Sequence, residues 1–262
     1  MATAYERVRI ARGAKRPTGI DYLQNVFHGF FELHGDRRYA DDPAIVGGLA
    51  YLGATPVTVI AIEKGHTAKE RVQRGFGAPQ PEGYRKALRL VRQAEKFHRP
   101  VVCFVDTSGA GCNVGAEERG QGEAIAECLT TMSALQTPVL SILIGEGGSG
   151  GALALAAGDR VWMLENAVYS VISPEGCATI LWKDAAKAEQ AAEELKLTAD
   201  DALALGVVES VIPEAGLGEP EFYDALSQRL MREIDALTEM PIQELLSARY
   251  ARFRRFGGEA QA

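Results

Sequence analysis

The sequence predicts an α/β fold built around a parallel sheet, and three observations carry that expectation. Short apolar runs rich in β-branched residues recur, chiefly Pro100 to Asp106 and Pro138 to Ile144, and they read as strands buried on both faces. Amphipathic stretches with helical spacing separate such runs. One pattern also occurs twice in succession: "PVVCFVD-TSGAGCNVGAEERG" and "PVLSILI-GEGGSGGALAL" each read as proline, apolar strand, glycine loop, helix. Consecutive units of this kind place their strands as parallel neighbours. Both glycine loops then leave the same edge of the sheet, where open α/β sheets bind ligands.

Taken in order, Asp21 to Leu33 reads as an amphipathic helix, with Leu23, Val26, Phe27, Phe30 and Phe31 on one stripe and His28 and His34 flanking it. Ala44 to Leu52 and Pro56 to Ile62 pair as a hairpin across Gly53-Ala54-Thr55. Glu63 to Gly83 has few apolar anchors and reads as a long loop of the functional kind. Tyr84 to Phe97 is a helix with Tyr84, Leu88, Val91 and Ala94 inward. After the strand ending at Asp106, Ala116 to Leu135 reads as one helix with Ile125, Cys128, Leu129 and Met132 on its core side. Arg160 to Leu164 and Ala167 to Ile172 look like strands. Ser173 as N-cap and Pro174 at the first helical position open a further helix.

The chain has 262 residues, 47% of them hydrophobic and 24% charged, which suits a single globular domain over residues 1–262. A net charge of -7 argues against nucleic acid as a partner. The local basic run Arg7, Arg9, Arg12, Lys15 and Arg16 reads as a solvated arm or a partner contact. No apolar stretch reaches the ~18 residues of a membrane span, and "MATAYERVRIARGAKRP" is too polar for a secretory signal. Cys103, Cys112, Cys128 and Cys177 form no CxxC pair, so no metal is expected in this chain. Reduced thiols and a cytoplasmic location follow from the same scatter.

The segment "GEGGSGGALAL", Gly145 to Leu155, admits three chemical readings. Gly145, Gly147 and Gly150 match G-x-G-x-x-G after a strand, with Glu165 placed as a ribose-binding acid, but the helix that follows is short. Gly147 to Gly151 match G-x-S-x-G, a nucleophile elbow around Ser149, yet His28, His34, His66 and His98 all precede it, so only a His98–Asp106–Ser149 order stays open. The third reading is a cradle of backbone N–H groups for an oxyanion. Glycine lets an oxygen approach the main chain because no Cβ intervenes. Helix-on-sheet packing explains one or two of these glycines, but not two Gly-rich loops on one edge.

The strings "DTSGAG", "VGAEERGQ", "IGEGGSGGALAL" and "YSVISPEGCATILWK" resemble the alpha subunit of the carboxyltransferase component of bacterial acetyl-CoA carboxylase. The likeness extends from about Arg16 through "GFGAPQPEGYRKALRL" to "RYARF" near the C-terminus. It implies a crotonase-like spiral of ββα units with peripheral helices. It implies transfer of a carboxyl group from carboxybiotin, on the biotin carboxyl carrier protein, to acetyl-CoA, giving malonyl-CoA for fatty acid synthesis. The implied assembly is two alpha with two beta subunits, active only together, with zinc in the beta subunit and biotin carboxylase as a further partner. By the same resemblance, N–H groups of Gly109–Ala110 and Gly150–Gly151 form the hole for the biotin oxygen, with Gly147 and Gly148 lining it. The beta subunit holds the thioester oxygen. Lys64, Arg71 and Arg74 are expected to meet the CoA phosphates or the carboxylate.

One departure stands out. The family usually reads D-T-P-G-A-Y-P-G where this chain has Ser108 and then Gly111, Cys112 and Asn113. With two prolines gone, a looser loop is expected. The alternative function is a self-sufficient crotonase-type hydratase or thioesterase, for which Glu117, Glu118 and Glu175 are the acidic candidates.

Overall fold

A computed structural model describes residues 2–257. An N-terminal arm carries helix α1 (Ala4–Ala11), followed by α2 (Gly19–Val26). Strands β1 (His28–Glu32), β2 (Ile45–Leu52) and β3 (Thr55–Ile62) form an antiparallel ribbon. Helices α3 (Ala68–Gln73) and α4 (Pro81–Lys96) lead to β4 (Val101–Thr107), then to α5 (Val114–Glu118) and α6 (Gln121–Ala134). Strand β5 (Val139–Gly148) runs directly into α7 (Ser149–Leu153). Strands β6 (Arg160–Leu164) and β7 (Val168–Ser170) and helices α8 (Pro174–Trp182), α9 (Ala188–Glu194) and α10 (Ala199–Ala204) follow. Strand β8 (Ser210–Ile212) and the long helices α11 (Pro220–Glu239) and α12 (Ile242–Arg254) complete the fold.

The sheet order is β1-β2-β3-β4-β5-β6-β8, with β7 added to the C-terminal end of β5. From β3 to β8 every pairing is parallel. All seven residues of β4 are buried, as the continuous apolar run requires. The central core gathers Val102, Phe104, Leu140 and Ile142 from these strands with Tyr84, Leu88 and Val91 of α4. Helix α12 is fastened by Arg249, only 1% exposed, whose guanidinium forks onto both oxygens of Asp159 at 2.7 Å and donates to the carbonyls of Met132, Leu135 and Thr137. That satisfies all five of its donors in the interior.

Three expectations are corrected. The stretch Asp21 to Leu33 is not one helix: α2 stops at Val26, Phe27 is extended, and His28–Glu32 form an edge strand on β2. Gly29, at φ 63°, leaves the helical path, and pairing with β2 outweighs the helical spacing of Phe30 and Phe31. The segment Ala116 to Leu135 is broken into α5 and α6 by Gly120, at φ 79°. The polar segment Glu63 to Gly83 is ordered by α3, whose Thr67 and Glu70 form a capping box. The hairpin of β2 and β3 and the Ser173 cap of α8 are as expected.

Candidate active site

Strands β4 and β5 lie side by side in parallel, so both deliver a loop to the same edge. Thr107 pairs with Gly147, and the chain leaves β4 through Ser108, Gly109 and Ala110 just where β5 turns into α7. The two loops press on each other. A Cβ at Gly148 would lie 2.8 Å from Gly109 N, and one at Gly151 would lie 2.6 Å from Ala110 N and 2.8 Å from the Tyr84 hydroxyl. No side chain fits at either place. Ser149 turns the chain at φ 52°, an unusual backbone conformation for a residue with a Cβ.

The N–H groups at this junction divide into committed and uncommitted. Gly109 N donates to Thr107 Oγ1 at 3.0 Å, and that hydroxyl donates back to Gly109 O at 2.7 Å. Gly111 N donates to Pro79 O at 2.8 Å. Among the described residues no acceptor takes the N–H of Ala110. Gly150 and Gly151 occupy the first turn of α7, where N–H groups lack intrahelical acceptors, and no side chain caps that helix. Of the four positions expected to form the hole, three therefore carry free donors, and Gly109 contributes shape instead. Gly147 lies inside β5 and Gly148 at its end, beneath the junction.

Under the loops sits a chain of charges, buried at Asp106 and Glu146 and open to solvent at Arg12 and Glu175. Lys64 Nζ lies 2.6 Å from Asp106 Oδ1 and 3.1 Å from Glu146 Oε2. Arg12 reaches the other oxygen of Glu146 at 2.8 Å and Glu175 at 2.7 Å. Asp106 Oδ1 also accepts the Glu146 N–H at 2.8 Å, which locks the ends of β4 and β5 together. Burial works against the charge on Glu146, yet Lys64 and Arg12 hold its carboxyl below the usual range. Burial likewise works against the Lys64 ammonium, and its two carboxylates raise its pKa all the same. Glu175 is held down by its hydrogen bond from Arg12. Two adjoining cavities share Arg12, Ser108 and Glu146; the larger, about 190 Å³, also meets Lys64, Arg71 and Asp106. A separate groove of about 310 Å³ runs past Gly150 over Leu153, Tyr169 and Val171.

The three polar-segment cations each have their own partners. Lys64 is neutralised by Asp106 and Glu146. Arg71 lines the larger cavity while donating to Gly65 O at 3.1 Å. Arg74 donates to Pro43 O at 2.7 Å. The N-terminal basic run is not a solvated arm at its key positions. Arg7 bonds Glu165 O and Asp200, Arg12 enters the charge chain, and Arg16 is 9% exposed, forked onto Glu214 with a third bond to Ile144 O at 2.6 Å. Alternating Arg and apolar residues (Arg7, Val8, Ala11, Arg12) were the available sign that this arm packs.

The geometry also decides among the readings of the glycine segment. Gly145 and Gly147 lie within β5, so they make no phosphate turn, and α7 has only five residues before the chain returns. His98 precedes β4 while Ser149 follows β5; parallel strands put them at opposite ends of the sheet, roughly 20 Å apart. Asp106 is already bound to Lys64. Neither a dinucleotide turn nor a catalytic triad is present here.

Comparison with known proteins identifies the family. A family model described as acetyl co-enzyme A carboxylase carboxyltransferase-like matches residues 1–257. The chain belongs to this family. It is 58% identical to the acetyl-coenzyme A carboxylase carboxyl transferase subunit alpha of Ruminiclostridium cellulolyticum, over 97% of this chain and 98% of that one. It is 53% identical to a Natranaerobius thermophilus protein named as subunits beta/alpha of the same carboxyl transferase, over 97% of this chain and 43% of that longer one. Among solved structures, a chain of a Pseudomonas malonate decarboxylase hetero-tetramer in complex with coenzyme A superposes with a TM-score of 0.73 at 18% identity, covering 91% of this chain and 98% of that one. A transcarboxylase 12S chain gives 0.68 at 19%, covering 84% and 42%. At such identities the likeness is one of fold, and the fold is the crotonase-like one that the sequence resemblance implies.

Proposed function

We propose that this chain is the alpha subunit of an acetyl-CoA carboxyltransferase, active together with a beta subunit. The reaction moves a carboxyl group from carboxybiotin, on its carrier protein, to acetyl-CoA, giving malonyl-CoA for fatty acid synthesis. Membership of the carboxyltransferase family supports the reaction class. The carboxyl transferase of Natranaerobius, with beta and alpha joined in one polypeptide, supports a beta partner. The observation that carries the mechanism is the set of uncommitted N–H groups at Ala110, Gly150 and Gly151, with Gly151 set against Ala110 too closely for a Cβ.

Such a cradle fits an oxygen that gains negative charge, and the ureido oxygen of biotin has that character. Carboxybiotin supplies the activated carboxyl group, and departure of that group leaves charge on this oxygen. The work of this chain is then electrostatic. Ala110, Gly150 and Gly151 donate to the developing charge from positions fixed before reaction, and one such donor is typically worth on the order of 10²–10³ in rate. Lys64, Asp106 and Glu146 tie the two strand ends so that the donors keep their spacing. A hydratase or thioesterase would need an acid or base here. Glu146 and Glu175 are paired with cations that keep them ionised, so neither is a ready proton donor, and Glu117 and Glu118 are exposed on α5. Zinc belongs, in this proposal, to the beta subunit. Cytoplasmic residence and work with biotin carboxylase and the carrier protein are part of the same reading; no described helix is long and apolar enough to cross a membrane.

The test is biotin-analogue-dependent decarboxylation of malonyl-CoA, the reverse reaction, with this chain alone and with its beta partner. Activity only in the mixture is the expected result. Full activity of the chain alone would return the self-sufficient acyl-CoA enzyme.

A further inference from the structure

We propose that Gln121 is a positioning residue for the Ala110 donor, an inference that rests on the cradle being the reacting site. The Ser108–Asn113 loop contains no proline to stiffen it. The structure holds it with a clamp to the segment before α4. Gly111 N donates to Pro79 O at 2.8 Å. Asn113 Nδ2 donates to Gln80 Oε1 at 3.2 Å, and Arg119 reaches the same oxygen at 3.3 Å. At the centre is Gln121, first residue of α6 and only 4% exposed. Its Nε2 donates to Pro79 O at 2.8 Å and to Gly111 O at 2.9 Å. Both protons of the carboxamide are thus committed, one to each side of the clamp. Because both neighbours are carbonyl oxygens, only the nitrogen can face them, which fixes the orientation of the amide. Gly120, at φ 79°, starts α6 at the angle that turns Gln121 inward.

The loop is therefore pinned on both sides of one residue. Thr107 Oγ1 holds Gly109 on one side, and Gln121 with Pro79 holds Gly111 on the other. Ala110 lies between them with its N–H free. Gln121 touches no reacting atom; it sets where the Ala110 N–H points. A displacement of about 1 Å in such a group can cost on the order of 10² in rate.

The test uses the alpha chain assembled with its beta partner and biocytin-dependent decarboxylation of malonyl-CoA. Gln121→Met keeps the volume but donates nothing. It is expected to lower kcat on the order of 10- to 100-fold, with the KM for malonyl-CoA unchanged and assembly with beta intact. Gln121→Glu keeps the length. Its carboxylate would face two carbonyl oxygens, but its protonated form donates one hydrogen bond. Its rate relative to wild type is therefore expected to recover as pH falls, a signature that a merely space-filling residue would not give. Wild-type kcat in Gln121→Met, with Gly150→Val inactive, overturns the positioning role and leaves the cradle standing. Full activity in Gly150→Val overturns the cradle itself. If Gln121→Met fails to assemble, the Glu variant decides: pH-dependent recovery supports the role, and a flat ratio overturns it.

Discussion

At the scale of single residues, the decisive feature is which polar groups are already paired. Lys64 is the clearest case, because two carboxylates from neighbouring strands depend on it. Lys64→Met would take from buried Asp106 its ion-pair partner and leave Glu146 with Arg12 alone. Breaking a buried pair in this way typically costs about 3–5 kcal/mol, so a loss of that order is expected in urea unfolding at neutral pH. The sign of the pH dependence follows. In the native protein Glu146 has a depressed pKa, so its contribution is present above its unfolded value and is lost as pH falls through the folded one. Without Lys64 that carboxyl is held down by Arg12 alone, and less far. The stability gap between variant and wild type should then narrow as the solution is acidified below about pH 5, near the ordinary carboxylate range; a constant gap would contradict the pairing. Lys64 was visible in the sequence as a cation in a polar segment, but its partners were not. Asp106 and Glu146 are forty residues apart and meet only because β4 and β5 are parallel neighbours.

At the scale of elements, the N-terminal arm matters as much as the glycine loops. Helix α1 buries Ala4, Val8 and Ala11 against Val168, Ala192 and Leu197, and Arg12 then crosses to Glu146 and Glu175 at the cavity mouth. Arg12 is about a third exposed, so solvent screens its pairs. Arg12→Ala is expected to cost about 1 kcal/mol or less of global stability. It should nevertheless speed amide hydrogen exchange across residues 4–11 relative to the core strands; unchanged exchange there would show that Val8 and its neighbours hold the arm unaided. Elements were legible where sequence and tertiary demands agree. The runs around Val102 and Leu140 could only be buried strands, and Ser173-Pro174 could only open a helix. They were illegible where tertiary pairing overrode local spacing. Phe30 and Phe31 fit a helical stripe with Leu23 and Val26, yet the open edge of β2 takes them as a strand. Gly120 splits a pattern that periodicity alone joins.

At the scale of the whole molecule, a parallel sheet brings two glycine loops to one edge. The repeated strand–glycine–helix units made the shared edge readable from the sequence. Which N–H groups stay free was not readable, since the Thr107 hydroxyl takes that of Gly109. The central claim is that free main-chain donors at Ala110, Gly150 and Gly151 stabilise the charge that develops in carboxyl transfer. The most direct measurement is biocytin-dependent malonyl-CoA decarboxylation by the alpha–beta complex carrying Gly150→Ala and Gly150→Val. A methyl at position 150 would sit 3.7 Å from Ile125 Cγ2, an ordinary contact, so the fold tolerates it. Both variants are expected to assemble normally, the alanine enzyme to be slowed, and the branched valine, beside the Gly150 and Gly151 donors, to lower kcat on the order of 10²-fold or more. A properly assembled Gly150→Val enzyme working at the wild-type rate would contradict the claim.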